Sequence, residues 1–407
     1  VNIIQEEVER HYALITRNCV DIIEPEELKT RLKSSIESKT PLKIKYGIDP
    51  TSPQLHLGHM ILVKKLRDFQ LLGHTILFLI GDFTARIGDP TGRNETRPIL
   101  SSEDIQKNLS SYREQVAGIL DLEKVSFLYN ATWLEKIPLK EFIHISSAFT
   151  IAQILERDDF FARYRQGKPI YFHEFMYPLF QGYDSVALKA DIEIGATEQK
   201  FNLLAGRTLQ HHFGQKKQIV LTTPILVGTD GKLKMSKSYE NHIPVSTTAE
   251  DMYGKLMSIP DSIMENYFQL LTSKAPHEYQ SLIKEDPRKA KDLLAQEVVS
   301  DFFSGEQAFS ASKEFQRVFS QKKAPSEIQT CLLPSKSFDS SGEISIVDLL
   351  YISTLVSSRA DAKRLIAQNA VQLNGMVISD PLARVSPLGK ILKVGKRRFA
   401  RIEKEQL

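Results

Sequence analysis

The stretch Lys45-Tyr46-Gly47-Ile48-Asp49-Pro50-Thr51-Ser52-Pro53-Gln54-Leu55-His56-Leu57-Gly58-His59 constrains this chain more than any other. It reads as a buried strand, a sharp loop and a helix start. Lys43 to Ile48 alternates basic and apolar residues, as at the edge of a sheet. Pro50 and Pro53 forbid regular structure in the loop that follows. From Met60 onward Ile61, Leu62, Leu66, Phe69 and Leu72 recur at helical spacing, and Gly73 stands where a helix ends. His56, Gly58 and His59 therefore fall at the N-terminus of a helix entered from a strand. Free N–H groups and the positive end of the helix dipole favour an anion there, typically phosphate. Gly58 lacks a Cβ, so a base or phosphate can approach the backbone. Two imidazoles can donate to the same phosphates.

A second segment gives that reading a partner. Lys234-Met235-Ser236-Lys237-Ser238 follows the Gly-rich turn Gly228-Thr229-Asp230-Gly231. Two lysines on a loop suit the charge of a departing pyrophosphate. Alone, such a loop is as readily a solvated basic surface. In this order and at this separation, the two segments resemble the HIGH and KMSKS motifs of class I aminoacyl-tRNA synthetases.

Between the motifs the chain alternates strands and helices. Strand 43–48 leads to helix 59–72 and strand 75–80, then a helix near 103–120 and a strand near 125–129. The second half runs through helix 176–190, strand 191–194, helix 198–213 and strand 218–222. This is the pattern of a doubly wound, Rossmann-like parallel sheet. No GxGxxG is present, which disfavours a dinucleotide-binding oxidoreductase. The expected organisation is a helical extension over 1–40 and an α/β catalytic domain over 41–245. An α-helical domain over 246–333, a Ser-rich linker over 334–344 and a small α+β domain over 345–407 follow. Phe160, Phe161, Tyr164, Tyr171, Phe172 and Phe175 are expected to serve core and subunit-interface packing.

Charge and cysteine usage narrow the class further. Ser345 to Leu407 holds 11 Lys and Arg against 5 Asp and Glu, while the rest of the chain holds 42 against 45. A net charge of +3 thus hides a basic C-terminal end, as in a nucleic-acid-binding module. There Asn374-Gly375 between apolar runs signals a type I′ hairpin, and Ser358 caps a helix carrying Arg359, Lys363 and Arg364. Lys396, Arg397 and Arg398 follow near a terminal strand. Cys19 and Cys331 offer neither a zinc spacing nor a disulfide framework, and a reduced, cytoplasmic setting fits. Neither a signal peptide nor an apolar run of transmembrane length is read, so no membrane is expected.

From about residue 40 the resemblance is to the bacterial tyrosyl-tRNA synthetases, in the branch with HLGH, KMSKS and a C-terminal S4-like RNA-binding domain. It implies tyrosine activation with ATP, transfer to the 3′ end of tRNA(Tyr), and a homodimer. Tyr177-Pro178-Leu179-Phe180-Gln181-Gly182-Tyr183-Asp184 matches the tyrosine-pocket helix. Spacings of four and three put Tyr177, Gln181 and Asp184 on one face. By resemblance, Tyr177, Gln181 and Asp89 hold the substrate ammonium and Asp184 accepts the phenol proton. Asp49 reaches the ammonium or the ribose. Gly195, Glu198 and Gln199 form the ribose turn. Gly47, Gly58, Met235, Ser236 and Ser238 surround ATP, and Thr51, His56, His59, Lys234 and Lys237 contact its phosphates. Arg93 and Arg97 match a basic loop that helps to hold pyrophosphate. Mg²⁺ is implied on the ATP phosphates, without a dedicated protein cage.

Three positions depart from the family pattern. Lys45 stands where the better-known branch has a second tyrosine on the substrate phenol, and Tyr46 faces the other way in a regular strand. Glu198 replaces a frequent Asp, and Ala196 a frequent Gly. The competing readings are the sister tryptophan enzyme, a non-catalytic RNA-binding protein derived from a synthetase, and a small adenylyltransferase. The first lacks a reason for Asp184 beside Gln181 and for the S4-like tail. The intact histidines and lysines argue against the second, and the length of the chain against the third.

Overall fold

The computed structural model describes residues 2–90, 103, 105, 108, 111–320, 328–395 and 398–405. Arg93, Arg97, Lys396 and Arg397 lie outside the described residues. The chain divides into two compact units, Val1–Phe309 and Ser310–Leu407.

The first unit is built on six strands: β1 (Asp21–Ile23), β2 (Lys43–Ile48), β3 (Thr75–Ile80), β4 (Val125–Tyr129), β5 (Ile192–Ala196) and β6 (Ile219–Thr223). They lie in the order β1-β6-β5-β2-β3-β4. All neighbours are parallel except β1, which runs antiparallel to β6. The interior strands are mostly apolar, as a sheet covered on both faces requires, with Lys45 on β2 and Glu193 on β5 as buried exceptions. Ile44, Ile76, Phe78, Ile192, Ile194, Ile219 and Leu221 are all buried. The chain winds outward from β2 to β3 and β4, then returns to β5 and β6 on the other side. That reversal opens a crevice at the carboxyl ends of β2 and β5.

Two expectations change here. The alternation in Lys43–Ile48 is not that of an edge: β2 is paired on both sides, and Lys45 is wholly buried. Its charge is tolerated because a carboxylate waits inside, as described below. The N-terminal 40 residues also do more than cover the sheet. They supply β1, a three-residue strand that pairs Asp21 with Thr222.

The helices after the sheet, from Ala249–Met257 to Pro287–Phe302, belong to the same unit as the strands. Lys64, on the helix that follows β2, reaches both Asp301 and the carbonyl of Leu271. Tyr267 donates to the carbonyl of Val227 at 2.8 Å.

The second unit holds β7 (Thr330–Leu333), β8 (Ile344–Ser345), β9 (Val371–Leu373), β10 (Met376–Val377), β11 (Arg384–Val385), β12 (Ile391–Val394) and β13 (Arg398–Lys404). Five form one sheet, β10-β9-β12-β13-β7, and β8 pairs with β11. Helices Ile346–Ile352 and Arg359–Ala367 contribute to a core that includes Ile346, Leu350, Ile366, Val371, Leu392 and Ile402. The hairpin at Asn374-Gly375 has φ of 49° and 84°, the two positive values a type I′ turn needs. The stretch 334–344, expected to link domains, is folded into this unit. Leu333 and Ile344 at its two ends are buried in the core, and Phe338 packs against it. Ser and Gly there make a turn, with Asp339 accepting from the backbone of Ser341 and Glu343.

Candidate active site

The crevice is a cavity of about 760 Å³. Its floor is lined by Lys45, Gln181, Asp184 and Glu193, and its middle by Asp49, Asp89, Tyr177, Gly195 and Gln199. Thr51, His59, Lys234, Ser236 and Ser238 line its mouth.

The floor is the driest part. Asp184 sits on helix Phe172–Leu188 and is buried. Its Oδ1 accepts from the Trp133 indole at 2.8 Å and its Oδ2 from the Asn130 amide at 3.2 Å. Burial pushes its pKa up to about 7, against the pull of the Lys45 ammonium and these two donors. The Lys45 ammonium lies 3.0 Å from Glu193 Oε1, and donates to the Gln181 carbonyl and to Ser185 Oγ, each at 2.8 Å. An ammonium has three hydrogens. All three of Lys45 are taken, so it has no donor to spare for a ligand. Glu193 also accepts from Ser185 at 3.1 Å and from Gln218. Gly206 makes this cluster possible, since a Cβ there would collide with the Gln218 and Ser185 side chains.

In the middle, Asp49 directly follows β2. It accepts from Thr84 Oγ1 at 2.8 Å and from the Tyr177 hydroxyl at 2.9 Å. Gly81 stands at the end of the neighbouring β3, where a Cβ would strike both Asp49 and Thr84. Gln199 donates to Asp89 at 2.6 Å. Gly195 ends β5 with Leu203 packed beside it.

The mouth joins the two sequence motifs. Leu57 N–H donates to the Ile243 carbonyl at 3.0 Å, and Val245 N–H to the Leu55 carbonyl at 2.9 Å. His56 pairs with Pro244 as an isolated antiparallel bridge. Met235 lies against the helix start: its Cβ is 3.8 Å from where a Gly58 Cβ would be. Lys237 Nζ lies 3.5 Å from Ser52 Oγ in the first motif's loop. Lys234 is paired with Glu198 at 2.7 Å. Helix Leu57–Leu71 begins at His56, whose backbone N–H donates to His59 Nδ1 at 3.2 Å. That bond leaves the proton of a neutral His59 on Nε2, free to meet a ligand. Burial holds both imidazoles well below the usual histidine range, His59 at about 4, so both are neutral near pH 7.

Of the residues singled out from sequence, four do not line the cavity. Met235 is buried beneath the mouth and packs against Gly58, rather than facing a nucleotide. Gly58 leaves room chiefly for the His56 ring, 3.0 Å from its missing Cβ. His56 stands behind His59, ring centroids 3.9 Å apart, and Lys237 is exposed at the rim. Residues not foreseen include Thr84, Asn130, Trp133 and Glu193. The signal for Asn130 and Trp133 was present: they follow the carboxyl end of β4, and ligands bind at the carboxyl ends of the strands in such sheets. Of the basic residues in the second unit, Arg359, Lys363, Arg364 and Arg398 are exposed. Arg359 is paired with Asp348 at 2.8 Å and Arg364 with Asp361.

Residues 37–320 match the family model described as tRNA synthetases class I (W and Y). The tyrosine–tRNA ligase of Carboxydothermus hydrogenoformans is 45% identical over 406 residues, 98% of either chain. That of Thermotoga maritima is 46% identical over 401 residues, 97% of either chain. Among solved structures, a C-terminally truncated mitochondrial tyrosyl-tRNA synthetase of Aspergillus nidulans aligns with a TM-score of 0.64 at 23% identity. The alignment covers 78% of this chain and all of that one, and it speaks for the fold alone. With its two motifs meeting over one cleft and its likeness to these ligases spanning nearly its full length, the chain belongs to the class I tRNA synthetase family, in the tyrosine–tRNA ligase group.

Proposed function

We infer that this protein is a tyrosine–tRNA ligase, which joins tyrosine to ATP as tyrosyl-adenylate and passes the tyrosyl group to the 3′ end of tRNA(Tyr). One observation carries the reading. A single cleft has a buried carboxylate, Asp184, at one end and the paired motifs at the other. Tyrosine fits between them with its phenol donating to Asp184. A tryptophan indole N–H sits elsewhere on its ring, and phenylalanine would leave the carboxylate unpaired. In this reading Tyr177, whose proton goes to Asp49, offers an oxygen lone pair to the substrate ammonium. Gln181 and Asp89 face it from the two sides.

The chemistry needs no general base, because tyrosine's carboxylate is ionised before it attacks the α-phosphorus. The attacking oxygen forms a bond to phosphorus as the bond to the bridging oxygen breaks, and pyrophosphate leaves. The protein therefore aligns the reactants and stabilises developing charge. Helix N-terminal amides, Thr51 and His59 Nε2 meet the phosphates. Lys234 leaves Glu198 for them, and Lys237 swings in from the rim. ATP brings Mg²⁺ on its phosphate oxygens and water. The cleft carboxylates do not fit a protein-held ion: Asp49, Asp89 and Asp184 are each engaged by protein donors. No step is assigned to such an ion.

Lys237→Ala tests the charge-stabilising role. Single-turnover adenylate formation is expected to slow by about a hundredfold, with tyrosine affinity unchanged. Equal losses in both would remove the lysine from the transition state.

Two further parts of the reading concern partners. The second unit is assigned to the tRNA, with Arg359, Lys363, Arg364 and Arg398 on its exposed surface. A second copy of the chain is assigned to an exposed apolar patch. Ile143, Ile151, Phe161, Tyr164 and Phe172 are each 50% or more exposed, and they come from four consecutive helices. Phe172→Asp is expected to convert a dimer into a monomer in analytical ultracentrifugation. A wild-type protein that sediments as a monomer at micromolar concentration overturns this assignment. The cytoplasm is the compartment that fits this activity and the two free cysteines. Among the described residues no helix is long and apolar enough to cross a membrane.

A further inference from the structure

Gln199 and Asp89 are bonded in the middle of the cleft, and what lies behind Gln199 is not part of the tyrosine site. Asn202 Nδ2 donates to Gln199 Oε1 at 2.9 Å. Asn202 Oδ1 in turn accepts from Arg157 Nη1 at 3.0 Å. The line thus runs from Arg157 through Asn202 and Gln199 to Asp89. Arg157 and Asn202 are buried, at 5% and 1% exposure.

We propose that Arg157 and Asn202 are positioning residues that fix, by hydrogen-bond polarity, which atom Gln199 presents to Asp89. A primary amide has similar shape with its oxygen and nitrogen exchanged, so packing alone does not choose its orientation. The ends of this line choose it. A guanidinium has only donors and a carboxylate only acceptors. Asn202 must turn its oxygen to Arg157, and so its NH₂ to Gln199. Gln199 must then accept on Oε1, which leaves its own NH₂ for Asp89. Reversing the two amides would set NH₂ against guanidinium and oxygen against carboxylate, in a dry site where unpaired groups are costly.

The far end is held rigidly. Arg157 Nε and Nη2 grip both oxygens of Asp159, at 3.0 and 3.1 Å. The rings of Phe160 and Phe201 flank its guanidinium at 4.9 and 5.4 Å. Neither Arg157 nor Asn202 lines the cleft. Their effect reaches the cleft only through Gln199 and the carboxylate it holds.

The inference rests on the tyrosine-activation reading, because Asp89 matters here as a partner of the substrate ammonium. The test separates the two. Wild-type ATP–pyrophosphate exchange with tyrosine reports on the reading. Asn202→Asp and Asn202→Ala, compared in the same assay, report on the relay. Asn202→Asp keeps the volume and the bond to Arg157 but replaces the donor facing Gln199 with an acceptor. Gln199 must then flip and turn its oxygen on Asp89. The relay requires KM for tyrosine to rise about ten- to a hundredfold, and by more than KM for ATP. Asn202→Ala leaves Gln199 free to choose, so its KM for tyrosine should rise less. A packing role demands the reverse order, since alanine opens a cavity and aspartate does not. Alanine equal to or worse than aspartate overturns the proposal. Should Asn202→Asp not fold, Arg157→Met removes the donor-only end while keeping a side chain between the two rings. An unchanged KM for tyrosine in that variant overturns the proposal, and a rise larger for tyrosine than for ATP supports it.

Discussion

Asp184→Asn is expected to lower kcat/KM for tyrosine by about a hundredfold at pH 8 while making the folded protein more stable there. Both effects come from one buried charge. The ionised carboxylate accepts the phenol proton, and an amide at the same place offers at best one acceptor, already sought by Asn130 and Trp133. Activity should therefore follow ionisation. In the wild type kcat/KM for tyrosine rises with pH through about 7 and then levels, because burial has raised Asp184 to that value. In Asp184→Asn this rise disappears. Stability runs the other way. A carboxylate whose pKa is raised by folding contributes stability below its unfolded value, near 4, and loses it as pH rises through about 7. The loss amounts to roughly 4 kcal/mol. The asparagine escapes it but forfeits one hydrogen bond, worth about 1–2 kcal/mol. Urea unfolding should find the variant more stable than the wild type at pH 8 and less stable at pH 4. A variant of unchanged stability order, or one that keeps the pH dependence, contradicts this account of the pocket floor.

Lys45→Met should cost about 3–5 kcal/mol of folding stability. The pair is closed to solvent, with Lys45 at 0% and Glu193 at 1% exposure, so removing the ammonium strands a charge that water cannot reach. Lys45→Met combined with Glu193→Gln should recover most of the loss, because no unpaired charge remains. The single variant has a second signature. Lys45 is the largest of the influences that hold Asp184 down against burial. Without it the rise of kcat/KM for tyrosine should move to higher pH. A loss below about 1 kcal/mol in urea unfolding would mean that Glu193 finds another partner or a proton at little cost.

These two residues also mark what was legible in advance. β2, β3 and β4 fall where the sequence puts them, at 43–48, 75–80 and 125–129. Their apolar runs are bounded by residues that break strands, and that signal is local. The helix that carries Tyr177, Gln181 and Asp184 starts at Phe172, four residues earlier than expected. There Tyr171 and Glu174 close its first turn, and Glu174 is drawn inward by Arg163. The chemistry of the two motifs could be read because each is a short segment with its own constraint. The company of Lys45 could not. Glu193 lies 148 positions away, and only the pairing of β2 with β5 brings them together. A basic residue alternating with apolar ones looks like an edge until the buried partner is known. β1 escaped notice for a related reason: three residues carry no periodicity, and only β6 gives them one.

Discrimination of tyrosine from its near relatives in this cleft is expected before any tRNA is present. It is tested most directly by ATP–pyrophosphate exchange, run at pH 8 with tyrosine, phenylalanine and tryptophan in turn. The account expects rapid exchange with tyrosine and none above background with the other two. Exchange driven by tryptophan or phenylalanine as well as by tyrosine would contradict it, because Asp184 would then have no part in the choice.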